Sequence, residues 1–278
     1  MGVNRALIGR KYTQAKAVQI KPDMASAFAN ATGASADIYA TKKNIIHPMF
    51  GVACSFHSLT APLMDGELQA DLMRLVHGEQ KMTWHRMFKP GEMIYSSSMI
   101  QDIQTKESGE TIIVGIESKD SDGHLVLKIE STLFIRGAKK KASKTESPDA
   151  FQNLQLFFQK TQTVEHDQSV RYAHASGDRN PIHLDDEAAQ LAGLPSRILH
   201  GLCTMAFVHN ALTEHGGGDP RCVKELNVRF ARPVFMGDCL SIDVRHVDDN
   251  QDNNSHYAIR VTNQNGHRVL TNGLAKCS

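Results

Sequence analysis

The chain has 278 residues and a formal net charge of +1, with 31 Lys and Arg against 30 Asp and Glu. Charges that nearly cancel argue against a strong general attraction to nucleic acid or to an anionic membrane surface, and the length suffices for two ordinary domains with full cores. Five cysteines, an odd number without a C-x-x-C pair, point to a reducing compartment. No segment has the apolar length of a membrane span or a signal peptide. The expected setting is the cytosol, with the peroxisome as the alternative in a eukaryotic cell, although the last residues, Ala275-Lys276-Cys277-Ser278, are not Ser-Lys-Leu.

In chain order, residues 11–20 predict a short edge strand, and 24–39 a helix with apolar residues at Met24, Ala27, Phe28 and Ala31. Residues 48–59 predict a second helix, apolar nearly all round and therefore buried. Strands follow at 72–76, 81–88, 93–104, 111–119 and 125–136, the last three separated by turn-forming residues. Residues 137–148 are polar, Lys-rich and aperiodic, as a solvated linker is. Beyond it come a strand at 157–164, a short helical connector at 166–174, a short helix at 185–191 opened by acidic residues, and a largely apolar helix at 198–212 ended by Gly216-Gly217-Gly218. Strands at 223–230, 239–247, 257–263 and 268–274 complete a second meander, with an exposed polar loop at 248–254.

The two halves share one order of elements, and residues support a duplication. The stretch from Glu79 to Glu92 aligns without a gap on the stretch from Glu225 to Asp238, an offset of 146 residues, and His47-Pro48 loosely matches His200-Gly201 at an offset of 153. At the latter offset Asp178 falls on Ala25 and His183 on Asn30, so a proton-transfer site belongs to the second copy alone.

That site is the stretch Tyr172-Ala173-His174-Ala175-Ser176-Gly177-Asp178-Arg179-Asn180-Pro181-Ile182-His183. The Asn180-Pro181 bend can turn the Asp178 carboxylate and the His183 imidazole toward one point, where they can hold a water by two hydrogen bonds. Asn180 can position but cannot shuttle a proton at neutral pH. A helix starting near His200-Gly201 offers backbone N–H groups without intrahelical acceptors, suited to an oxygen that gains negative charge. On residues alone, an ordinary turn whose histidine caps or packs remains open.

This stretch resembles the signature of the (R)-specific 2-enoyl-CoA hydratases, the hydratase-2 group of the MaoC-like dehydratases. The segments Leu199-His200-Gly201-Leu202-Cys203-Thr204 and Arg232-Pro233-Val234-Phe235-Met236-Gly237-Asp238 resemble that family's later segments, and His77-Gly78-Glu79-Gln80 resembles the first half of its two-repeat members. One departure is Ile198, where the family often has Pro. The resemblance implies an α+β double hotdog, two antiparallel sheets each wrapped around a long central helix. It also implies a degenerate N-terminal repeat (1–137) that accommodates the acyl chain, a linker (138–150) and a catalytic C-terminal repeat (151–278). It assigns Asp178 and His183 as the catalytic pair, Asn180 as the adjacent amide and Gly201 as the oxyanion-hole N–H, with His200, Arg197, His77, Gly78, Glu79 and Gln80 on the substrate side.

The expected activity is interconversion of a trans-2-enoyl-CoA and a (3R)-3-hydroxyacyl-CoA in fatty-acid metabolism. Alternatives are a dehydratase acting on acyl carrier protein, a thioesterase on the same fold, and a non-catalytic acyl-CoA-binding module. No metal is expected, because the 14 histidines are scattered without ligand spacing, and no organic cofactor, because phosphate-binding glycine loops are absent. The partners expected are the acyl-CoA thioester and, as an open assembly, a homodimer, with neither nucleic acid nor membrane.

Overall fold

In the computed structural model, which describes residues 2–13, 17–39, 45–137, 150–247 and 254–278, the chain runs twice through one succession of elements. The first pass has edge strands β1 (Lys11–Thr13) and β2 (Val18–Gln19), helices α1 (Pro22–Ala31), α2 (Ala36–Tyr39) and α3 (Gly51–Thr60), and strands β3 (Leu75–Trp84), β4 (Met93–Lys106), β5 (Gly109–Lys119) and β6 (Leu125–Arg136). The second has β7 (Leu156–Thr163), helices α4 (Gln168–Ser176), α5 (Asp186–Leu191) and α6 (Gly201–His215), and strands β8 (Val223–Phe230), β9 (Cys239–Val247), β10 (Ser255–Thr262) and β11 (Arg268–Cys277). Nearly all of the expected linker, and the expected loop up to residue 253, lie outside the described residues.

Helix α6 explains the wrapping. Every residue from Cys203 to Thr213 is buried, so no face of this helix is left for solvent and the sheet must curl around it. In the first half α3 lies against β4 and β5 in the same way. Strand β5 alternates buried and half-buried residues along its length, one face turned to the helix.

The two expected sheets are fused edge to edge into one of 11 strands, ordered β1-β4-β5-β6-β3-β8-β11-β10-β9-β7, with β2 also on β4. The joint is the antiparallel pair β3–β8, where Glu79 faces Arg229, Lys81 faces Asn227 and Thr83 faces Glu225. At the repeat offset of 146, Glu79 corresponds to Glu225 and Thr83 to Arg229, so the pairing maps onto itself under exchange of the halves, about the Lys81–Asn227 pair. That is the isologous geometry of a two-fold dimer, built here within one chain.

The edge strand expected over 11–20 is two short strands, β1 and β2, on different parts of β4, and two further elements differ from the sequence expectation. The helix expected over 24–39 is two helices, because Gly33 takes a left-handed conformation (φ 61°) and the Thr32 hydroxyl bonds back to the Phe28 and Ala29 carbonyls, ending α1. The strands expected at 72–76 and 81–88 are a single strand, β3, bulged at Gly78: His77 pairs with Leu133 and Glu79 with Thr132. A Cβ at Gly78 would lie 3.1 Å from the Thr132 carbonyl oxygen, which explains the glycine.

Candidate active site

The site grows out of the end of α4. Gly177 terminates that helix with φ 83°, its N–H bonding the Ala173 carbonyl, and the chain then folds on its own side chains. Asp178 N–H donates to Ser176 Oγ (3.2 Å) and Asn180 N–H to Asp178 Oδ1 (3.1 Å). Asn180 Oδ1 accepts from Ile182 N–H (3.4 Å) and so caps the tight turn Pro181–His183. This self-bonding loop presents a half-buried Asp178, while His183 is 8% exposed.

His183 is oriented from behind. Its Nδ1 lies 2.9 Å from the Ile198 carbonyl oxygen, which can only accept, so Nδ1 carries the hydrogen and Nε2 keeps its lone pair. Ile198 N–H in turn donates to the Ile182 carbonyl (3.1 Å), a bond that the family's frequent proline could not make. The His200 ring lies flat on His183, centroids 3.7 Å apart and planes at 25°, and its Nε2–H donates to the Asp178 carbonyl oxygen at 3.0 Å. Tyr172 backs His200 at 4.8 Å between centroids. Burial pushes the His183 imidazole below its usual pKa, opposed by the Asp178 carboxylate, and brings His200 down to about 3, with the neighbouring His183 adding to the shift.

Asp178, His183 and His200 each offer a possible ligand atom, all within 4.8 Å of one another. A water bridging the first two spans such a gap with two ordinary hydrogen bonds. A metal ion fits poorly: imidazole lone pairs lie in the ring plane, and two stacked rings cannot aim theirs at one ion.

Helix α6 begins beside this pair. Its own ladder starts with Cys203 N–H to the His200 carbonyl (3.0 Å), which leaves Gly201 N–H without an acceptor inside the helix. A Cβ at Gly201 would sit 2.7 Å from the Phe230 ring, so glycine is needed there for packing. The same Phe230 ring meets His77 edge-on at 5.0 Å, which carries a residue of the first half to the site. His77 bonds Gln80 Oε1 through Nε2 (2.9 Å), and burial lowers its pKa to about 4 against the opposing pull of Gln80 and of the Asp178 charge.

The structure thus brings together Asp178, Asn180, His183, His200 and Gly201, with His77 alongside. Gly78 is the bulge, Glu79 pairs with Arg229 across the joint (3.9 Å), and Gln80 is buried and accepts from Ser131 Oγ (2.6 Å). Arg197 is half-buried, its guanidinium bonding the His166 carbonyl (3.1 Å) and its N–H bonding Asp186 Oδ1 (2.8 Å). Sequence reasoning missed the Ile198 carbonyl, Phe230 and the His183–His200 stack; a backbone acceptor leaves no residue signal.

The first half's counterpart of His200 is enclosed by partners. His47, matched with His200 by the repeat, is fully buried: Nδ1 accepts from Met49 N–H (3.1 Å), Nε2 bonds Asn210 Oδ1 (2.7 Å), and Tyr39 stacks on the ring at 4.7 Å.

Sheet, central helix and site together define a class: α+β double hotdog proteins with an acid–imidazole pair at the N-terminus of one central helix. Two family descriptions match, an MFE-2 hydratase 2 N-terminal domain over residues 28–137 and a MaoC like domain over residues 152–267. A 3-hydroxyacyl-thioester dehydratase Y of Mycobacterium tuberculosis is 31% identical over 231 residues, covering 79% of this chain and 74% of that protein. The Drosophila melanogaster peroxisomal multifunctional enzyme type 2 is 34% identical over 183 residues, 63% of this chain, but this match spans only 30% of that longer enzyme. In fold, a MaoC-like dehydratase from Phytophthora capsici superposes with a TM-score of 0.82 at 23% identity, covering 99% of both chains. The chain belongs to the MaoC-like dehydratase family, in its two-repeat form with a hydratase 2 N-terminal domain.

Proposed function

We propose that the protein is a hydro-lyase that interconverts a trans-2-enoyl thioester and a (3R)-3-hydroxyacyl thioester, with coenzyme A as the carrier. The observation that carries this is that Asp178 and His183 offer side-chain atoms within 4.8 Å of each other, with Nδ1 of His183 engaged by Ile198 so that Nε2 keeps its lone pair, at the start of α6, where Gly201 N–H has no acceptor inside the helix. Water held between the two groups is fixed for attack on the β-carbon. As the C–O bond forms, Nε2 takes one proton and the alkene electrons move onto the thioester oxygen, where Gly201 N–H stabilises the enolate. The Asp178 carboxylate stabilises the imidazolium, which returns its proton to the α-carbon, so one water is added and both groups are restored. His200 is a positioning residue that underlies His183 and holds the Asp178 backbone.

The first repeat, residues 1–137, is proposed to accommodate the acyl chain, with Arg197 at the rim and His77 reaching the site from the joint. The proposed setting is the cytosol, or the peroxisome by analogy with the Drosophila enzyme's name; among the described residues no helix is long and apolar enough to cross a membrane. The name of the mycobacterial relative favours one second reading, dehydration of a 3-hydroxyacyl thioester on another carrier.

Purified protein given crotonyl-CoA is expected to consume the enoyl absorbance and yield the (R) alcohol. Release of free thiol would make it a thioesterase, and binding without turnover would make it a carrier module. Comparing 3-hydroxyacyl groups on coenzyme A and on acyl carrier protein separates the two hydro-lyase readings.

A further inference from the structure

Outside the candidate active site, two cysteines lie on neighbouring strand ends at the opposite end of α6. Cys222 ends the turn Pro220–Cys222 that leads into β8, and Cys277 closes β11. Their strands are neighbours: Cys277 pairs with Val223, and Ser278 N–H donates to the Cys222 carbonyl at 2.9 Å. Residues paired across antiparallel strands have Cα atoms roughly 4.5–5.5 Å apart, so a residue one step along stays within the reach of a disulfide, roughly 4.4–6.8 Å.

Cys222 is the last residue of the turn and lies outside β8, so strand alternation does not set its direction, and a bulge shapes the pairing next to it. Lys276 pairs with Glu225 whereas Cys277 pairs with Val223, leaving Lys224 as the extra residue. Cys222 Sγ packs under the end of α6, 3.1 Å from where a Cβ on Gly216 would stand, one residue before the Val223 that pairs with Cys277. Both are partly exposed, whereas Cys54 and Cys203 are buried.

We propose that Cys222 and Cys277 form a peroxide-reactive thiol pair that closes to a reversible disulfide, stapling the end of β11 to the turn before β8. The neighbouring Cys277 holds Cys222 below the ordinary thiol range, against burial and the Asp219 charge, while Cys222 and burial push Cys277 up. Cys222 thiolate attacks one oxygen of hydrogen peroxide, the O–O bond breaks, and a sulfenic acid forms with loss of hydroxide, which the thiol's proton converts to water. Cys277 sulfur then attacks the sulfenic sulfur, the S–O bond breaks, and a second water leaves with the Cys277 proton. Two thiols are oxidised and one peroxide is reduced.

The pair lies the length of α6 from Gly201, a 15-residue helix or about 20 Å at the usual rise. The disulfide is therefore expected to leave turnover unchanged. It closes a segment of 55 residues and restricts the unfolded chain, so it should raise the melting temperature.

The test uses the full chain carrying Cys239→Ser, which removes the exposed thiol. After hydrogen peroxide, a non-reducing peptide map should show Cys222 joined to Cys277 and two fewer thiols in denaturant, both reversed by dithiothreitol. Melting should occur at higher temperature and turnover should be unaltered. Adding Cys277→Ser should trap a dimedone-reactive sulfenic acid on Cys222, and adding Cys222→Ser should abolish the reaction, with circular dichroism confirming the fold of each. Over-oxidation of Cys222 without a cystine, or a peroxide-reactive Cys277 in the Cys222→Ser chain, would overturn the proposal.

Discussion

At His183 a single backbone carbonyl sets the tautomer. The Ile198 oxygen fixes the hydrogen on Nδ1, and that leaves Nε2 unprotonated for the base role proposed here. His183→Gln and Asp178→Asn are each expected to lower kcat by about 10²–10⁴-fold, with unchanged circular dichroism; either variant turning over at the parent rate would remove the acid–base assignment. Because burial holds the folded His183 below its ordinary value of 6.5, the base form persists at and below that pH. The acid limb of kcat/KM is therefore expected to have its midpoint below pH 6.5, and a midpoint above it would mean that another group titrates. Asp178, Asn180 and His183 were legible in the sequence because six consecutive residues carry them. His200 was legible only as a neighbour of Gly201, because its stack on His183 and its bond to the Asp178 carbonyl are made by folding the chain back across 22 residues.

Helix ends do the positioning in this protein. Helix α4 delivers Asp178 through Gly177 at φ 83°, while α5 is capped by Asp185, whose Oδ1 accepts Ala188 N–H at 2.7 Å. Gly177→Ala places a Cβ in a left-handed conformation, with an expected cost of about 1–2 kcal/mol, and Asp185→Ala removes a cap of about 1 kcal/mol. Stability should thus fall by similar amounts, yet only the first should misplace the Asp178 loop and slow turnover by roughly 10-fold or more. Chemical denaturation beside steady-state rates checks this, and equal rates would show that the loop holds its shape without the glycine. At this scale the apolar run from Ile198 and the acidic opening at Asp185 announced two helices correctly. The break at Gly33 and the bulge at Gly78 went unread, since each depends on a backbone conformation whose neighbours come from elsewhere: the Thr132 carbonyl lies 54 residues beyond Gly78.

At the scale of the whole molecule, burial lowers five imidazoles in both halves. His47 and His77 are brought to about 4 and His200 to about 3, and His183 and His209 are lowered as well. The unfolded chain takes up protons on His47, His77 and His200 as pH falls through 6.5, whereas the folded chain does not until near 4 or below, so folding is opposed by acid in that window. The urea midpoint is expected to fall from pH 7.5 to pH 5; an unchanged midpoint would show that these rings charge as readily folded as unfolded. The duplication was readable because the 146-residue offset survives in side chains, but the direct pairing of β3 with β8 was not, since an offset says which residues correspond and nothing about which touch. That joint, symmetric about Lys81 and Asn227, changes what dilution can do. Two separate subunits meeting on such strands would part as their concentration fell; halves on one chain meet at an effective concentration set by their tether, commonly in the millimolar range. Specific activity should therefore stay constant on serial dilution into the nanomolar range, because each half stays supported by the other at any concentration.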